Sequence, residues 1–159
     1  MNVGGRRITN DELVGIALEL GTWDVVPFRA SGNLVLSSSR TAEGLRDQLE
    51  AGFQDALGYE VLCVVRSIPQ IRTLAAARPW DDEPKPQVAL VRSPDACARE
   101  AALALATEDD RLSFVEDDLF WSPRMGVGRS KLGMRALERA LGPFTVRTVG
   151  TLAALAKRA

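Results

Sequence analysis

Apolar residues at Leu13, Ile16, Ala17 and Leu20 keep helical spacing and predict a helix over residues 10–20 that Gly21 ends. Thr9 followed by Glu12 reads as its capping box. "DVVPFR" and "NLVLSS" are extended, and "ASG" between them reads as the turn of a hairpin; Pro27 suits an edge or a bulge. Thr41 opens a second helix, with Leu45, Leu49, Phe53 and Leu57 at intervals of four and Gly58 closing it. "YEVLCVV" then reads as a strand, and "SIPQIRTLAAA" as a helix with Pro69 in its first turn. Three prolines and an acidic cluster make "RPWDDEPKP" a linker. Beyond it, "QVALV" is a strand, residues 95–106 a helix, and "RLSFV" and "DLFWS" a hairpin around Glu116 and Asp117. "KLGMRALERAL" is helical to Gly142, "FTVRTV" is a short strand, and "TLAALAKRA" is a terminal helix.

The second half therefore reads β-α-β-β-α-β plus a helix, and the first half reads α-β-β-α-β plus a bridging helix. One strand placed ahead of Asn2 would make the halves match. The expected fold class is α+β, with tandem ferredoxin-like units packing helices on antiparallel sheets. The boundaries are 1–66 for a first unit short of its opening strand, 67–83 for a bridging helix and proline-rich linker, and 84–159 for the second unit. The "NVGG" turn should join the missing strand to the first helix. Its absence predicts an exposed groove that invites dimerisation, peptide capture or aggregation.

Composition narrows the chemistry. The 159 residues include no histidine, which removes Ser-His-Asp and Cys-His catalysis and nearly all catalytic zinc sites. Two cysteines, Cys63 and Cys97, are too few for a disulfide framework and read as buried thiols. No metal or other cofactor is implied. No apolar run is long enough to cross a bilayer and no signal peptide opens the chain, so the expected compartment is the cytoplasm. The formal net charge of -1 is uneven: residues 124–159 carry +7 and the rest -8. That polarity can steer an anionic partner, draw the two halves together, or simply solvate the surface.

"GVGRSKL" is the sharpest local signal. Gly126 and Gly128 let the backbone bend, Ser130 can cap the following helix, and Arg129 and Lys131 supply a planar fork of donors and a mobile charge. A phosphate or carboxylate fits such a place, although the spacing is not that of a Walker A loop. The same residues also read as a plain hairpin exit and helix cap. Phe120 and Trp121 fall on opposite faces of one strand, so an aromatic RNA-stacking sheet is poorly supported.

"NVGGRR", "SGNLVLSS" and "GVGRSKLGMRALERALG", in this order along the whole chain, resemble the DUF1697 family of small bacterial proteins. The resemblance implies a fold of two ferredoxin-like α+β units and supplies no reaction. It also implies an apolar strand before the "NVGG" turn. Phe28 and Ala30 replace the family's tyrosine and glutamine, and Thr148, Val149 and Gly150 replace an Asn-Trp-Asn. Asn2, Arg6, Ser31, Asn33, Arg129, Ser130 and Lys131 match and form the candidate ligand-binding set. The expected function is a noncatalytic binding or regulatory domain for an anionic, phosphate-bearing small molecule. The alternatives are a histidine-independent enzyme acting on a phosphorylated or nucleotide-like substrate, and a weak nonspecific nucleic-acid binder. No membrane partner is expected, and a homodimer through the open sheet edge is.

Overall fold

The computed structural model describes residues 2–3, 6–29, 32–81 and 86–158, with backbone alone at 2, 3, 6 and 7. It divides into two compact units, Met1–Ser67 with Lys157–Ala159, and Ile68–Ala156. Each is antiparallel α+β, and the described residues form six α-helices.

The first unit begins with a minimal ladder, β1 (Asn2–Val3) against β2 (Arg6–Arg7). Helix α1 (Asn10–Glu19) starts where the pattern predicts. The Thr9 hydroxyl accepts from the Glu12 amide at 3.2 Å, and the Glu12 carboxylate accepts from the Thr9 amide at 2.7 Å. These bonds to Thr9 hold the Glu12 carboxyl below its ordinary pKa. Strands β3 (Trp23–Phe28) and β4 (Asn33–Ser37) form the expected hairpin, with a register shift between Trp23 and Val26. Helix α2 (Ala42–Leu57) is capped by Thr41 and ends at Gly58, whose φ of 76° is the left-handed conformation that glycine adopts without strain. Gly52 lets α2 approach α1, because a Cβ there would come within 2.4 Å of the Leu20 side chain. Ile8, Leu13, Ala17, Leu45, Leu49 and Phe53 form the core.

One expected element is missing. Residues 59–65, which read as a strand, make no ladder. Val61, Cys63 and Val65 still alternate onto the same core as Leu34 and Leu36 of β4. The Cys63 amide donates to the Glu50 carboxylate at 2.8 Å rather than to a neighbouring strand. Composition can favour extended backbone, but only a partner makes it a strand.

The second unit has what the first lacks. Helix α3 (Ile68–Ala76), part of the expected connector, packs on α6 (Val149–Ala156) inside this unit. Between them run β5 (Gln87–Val91), α4 (Ala96–Leu103), β6 (Asp110–Val115), β7 (Asp118–Pro123), α5 (Met134–Leu141) and β8 (Phe144–Thr148). The four strands form one antiparallel sheet in the order β6-β7-β5-β8, so the first strand of the unit lies inside the sheet with a ladder on each side. Ala89, Val91, Leu119 and Trp121 join Leu132, Leu137 and Leu141 in a core on one face. Their strand neighbours Val88, Leu90 and Phe120, which point to the other face, are buried too. Arg99 of α4 fastens the hairpin turn: it donates to the Glu116 carbonyl at 2.7 Å, pairs with the Asp117 carboxylate, and lies 4.8 Å from the Phe114 ring centre.

Candidate functional site

The loop from β7 to α5 carries the basic glycine-rich signal. It leaves the sheet with the Arg124 amide donating to the Asp109 carbonyl at 2.7 Å, and it turns at Gly126, where φ is 81°. A single 3-10 turn, η1 (Val127–Arg129), brings the amides of Arg129 and Ser130 onto the Gly126 carbonyl. The chain then runs extended through Ser130, and Leu132 drops into the core.

Ser130 does not cap the helix. Its hydroxyl donates to Asp110 Oδ1 at 2.5 Å and accepts from the Leu132 amide at 3.0 Å. Asp110 gathers the region: it is 0% exposed and also accepts from Trp121 Nε1 at 2.8 Å and Thr107 Oγ1 at 3.2 Å. Burial raises its pKa, but the hydrogen bonds from Ser130, Trp121 and Thr107 outweigh that and hold the carboxyl below the usual aspartate value. Asp110 lies outside the candidate set read from the sequence, where it stands in an acidic run with Glu108 and Asp109. Nothing in their spacing marks which of the three turns inward.

Helix α5 is capped instead by Gly133, which has no side chain to offer. The helices α1, α2 and α4 each have a side-chain cap, from Thr9, Thr41 and Asp95. At α5 the Met134 and Arg135 amides find no acceptor among the described residues. Arg124, Arg129 and Lys131 on the loop, Arg135 in the first turn of α5 and Arg139 in its last turn are all exposed. None of these five side chains has a hydrogen-bond or ion-pair partner among the described residues. The other cations of the basic run are placed differently. Arg147 is half-buried, donates to Thr145 Oγ1 at 2.6 Å, and has its pKa lowered by burial; Arg158 lies 5.5 Å from the Phe28 ring centre in the first unit.

The remaining candidates belong to the first unit. Asn33 opens β4 opposite Phe28. Asn2 pairs in register with Arg7, and Arg6 with Val3; the side chains of Asn2 and Arg6, and the whole of Ser31 and Ala30, lie outside the described residues. The two cysteines are not the pair of buried thiols expected. Cys97 is exposed on α4, while Cys63 is half-buried and its thiol is pushed up to about 11 by burial. No group of three or more Cys, Asp or Glu side chains is arranged to hold a metal ion among the described residues. No described helix is long and apolar enough to cross a membrane.

A family model described as "Protein of unknown function (DUF1697)" matches residues 1–120. The chain belongs to the DUF1697 family. The matched span takes in Asn2, Arg6, Ser31 and Asn33, and it ends before the basic loop and α5. The chain is also similar in fold to a conserved bacterial protein from Streptococcus pneumoniae. That match has 19% identity and a TM-score of 0.76, and it covers 99% of this chain and 92% of the other. No curated protein matches the DUF1697 chain.

Proposed function

We propose that this DUF1697 protein is a noncatalytic binding or regulatory domain built on two ferredoxin-like units. It holds an anionic, phosphate-bearing ligand at the loop before α5. One observation carries the reading: four exposed cations, Arg124, Arg129, Lys131 and Arg135, stand on the loop and first turn at a helix start with no side-chain cap, and none has a partner among the described residues. Arg135 stands in the first turn of α5, where a cation faces the positive end of the helix dipole and weakens the helix. A bound anion reverses that penalty. It accepts from the free amides and pairs with the surrounding guanidinium and ammonium groups. The ferredoxin-like reading is supported by the β6-β7-β5-β8 order of the second unit, which is that of a split β-α-β motif, and by the parallel element order of the first.

Binding is favoured over turnover by what surrounds Ser130. Its hydroxyl does meet a carboxylate, but Asp110 is buried, multiply hydrogen-bonded and held at low pKa, which makes it a weak base. Base stacking by nucleic acid has little support, because Phe120 and Trp121 are both buried. A panel of inorganic phosphate, nucleotides, sugar phosphates and short RNA, titrated at two salt concentrations, tests the reading. One phosphate compound should bind selectively without being consumed, and Arg129→Ala should weaken it about fivefold, or ~1 kcal/mol, as suits an exposed contact. Turnover of the bound compound would establish the enzyme alternative. Unchanged affinity in both Arg129→Ala and Arg135→Ala would remove the site.

A further inference from the structure

We propose that the loop between β7 and α5 docks on an anionic phospholipid surface, so that the phosphates held at the start of α5 are lipid headgroups. The inference rests on the phosphate reading of this loop and adds that the loop is also apolar. Met125 and Val127 are 53% and 54% exposed, more than any other large apolar side chain among the described residues. Both stand between cations, in the order Arg124, Met125, Gly126, Val127, Gly128, Arg129, and all six residues are exposed. A Cβ added at Gly126 or Gly128 would meet no atom within 4 Å, so the two glycines stand in open space. Exposed apolar residues scattered singly need no explanation, but two on one open loop, flanked by cations, do. A soluble phosphate engages the cations and leaves Met125 and Val127 in water.

A lipid surface satisfies both kinds of side chain. Arginine and lysine keep their heads at the level of the phosphates, while Met125 and Val127 enter the apolar boundary below it. Arg124, Arg129, Lys131 and Arg135 have no partner among the described residues, so no neighbour holds them in a cradle for one phosphate. Four such cations suit an array of headgroups better than a single compound. Residues 124–135 carry no anion at all. The acidic residues tied to the loop stand at its root, where the Asp109 carbonyl takes the Arg124 amide and the buried Asp110 takes the Ser130 hydroxyl. Nucleic acid offers the same charge but no apolar layer behind its phosphates. Basic charge and apolar insertion together are the two signals that stable anchoring to a surface requires. The expectation of no membrane partner rested on crossing a bilayer, which no described helix can do; lying on one asks only for this loop.

The test is cosedimentation of the 159-residue chain with vesicles of phosphatidylglycerol and phosphatidylcholine in equal parts, and with vesicles of phosphatidylcholine alone. Binding should need the anionic lipid and weaken as salt rises. Met125→Ser combined with Val127→Ser should lower vesicle binding at least about tenfold. The same double variant should bind glycerol phosphate as the unaltered chain does, whereas Arg129→Ala should weaken binding to both by about fivefold. Vesicle binding that is absent, equal on phosphatidylcholine alone, or unchanged in the double variant would overturn the proposal. Glycerol phosphate binding that survives such a result would still uphold the phosphate reading, and failure to bind either would remove both. Short RNA that displaces the chain from vesicles and binds the double variant at full affinity would make nucleic acid the occupant and the proposal wrong.

Discussion

Strand β5 and residues 59–65 are close in composition and opposite in fate. "QVALV" is buried on both faces and laddered on both edges; "YEVLCVV" packs alternate residues on the core and joins no ladder among the described residues. The difference lies in the neighbours. In the second unit β7 and β8 bracket β5, whereas in the first no described strand stands between β4 and residues 59–65. Aliphatic, β-branched sequence inclines the backbone to extend, but sheet membership is a property of at least two segments at once.

The contrast predicts unequal sensitivity to mutation. Phe120→Ala, in the middle of the completed sheet, should cost about 3–5 kcal/mol of stability, measured by chemical denaturation. A loss below about 1 kcal/mol would mean that the second unit is less consolidated than its burial indicates. Asp110→Ala should cost about 2–3 kcal/mol, because it strands the buried Trp121 N–H and the Ser130 hydroxyl. The pH dependence follows with a definite sign. Folding holds the Asp110 pKa below its unfolded value, so its stabilisation is complete above the ordinary aspartate value of about 3.9. It is lost as pH falls through the lower folded value. The Trp121 indole N–H resonance should remain shifted down to that range and then collapse; collapse near neutrality would contradict the assignment. The smallest effect belongs to residues 59–65. Leu62→Lys should change stability by no more than about 0.5 kcal/mol, since that side chain already faces solvent. A large loss in urea melts would show that residues 59–65 are covered on both sides after all.

Helix α2 was legible in full: Thr41, the four-residue spacing and Gly58 are local signals, and each appears where it points. The β6–β7 hairpin was legible for the same reason, with Glu116 and Asp117 at its turn. The start of α5 was not. Ser130 has the chemistry of a cap, but its hydroxyl is taken by a carboxylate twenty residues earlier, and the helix begins three residues beyond the expected Lys131. Of the candidate site, the exposed charge of Arg129 and Lys131 was visible in the sequence. The free helix amides beside them and the buried Asp110 beneath were not.

By itself the sequence determined most helix positions, the hairpins and the order of helices, because caps, glycine stops and hydrophobic periods act over a few residues. Only the tertiary structure decided which extended segment became a strand, which acidic side chain turned inward, and which cations have no partner among the described residues. Each of those outcomes depends on groups far apart in the chain that meet only once it is folded, and a carboxylate or an aliphatic run carries no local mark of the neighbour it will find.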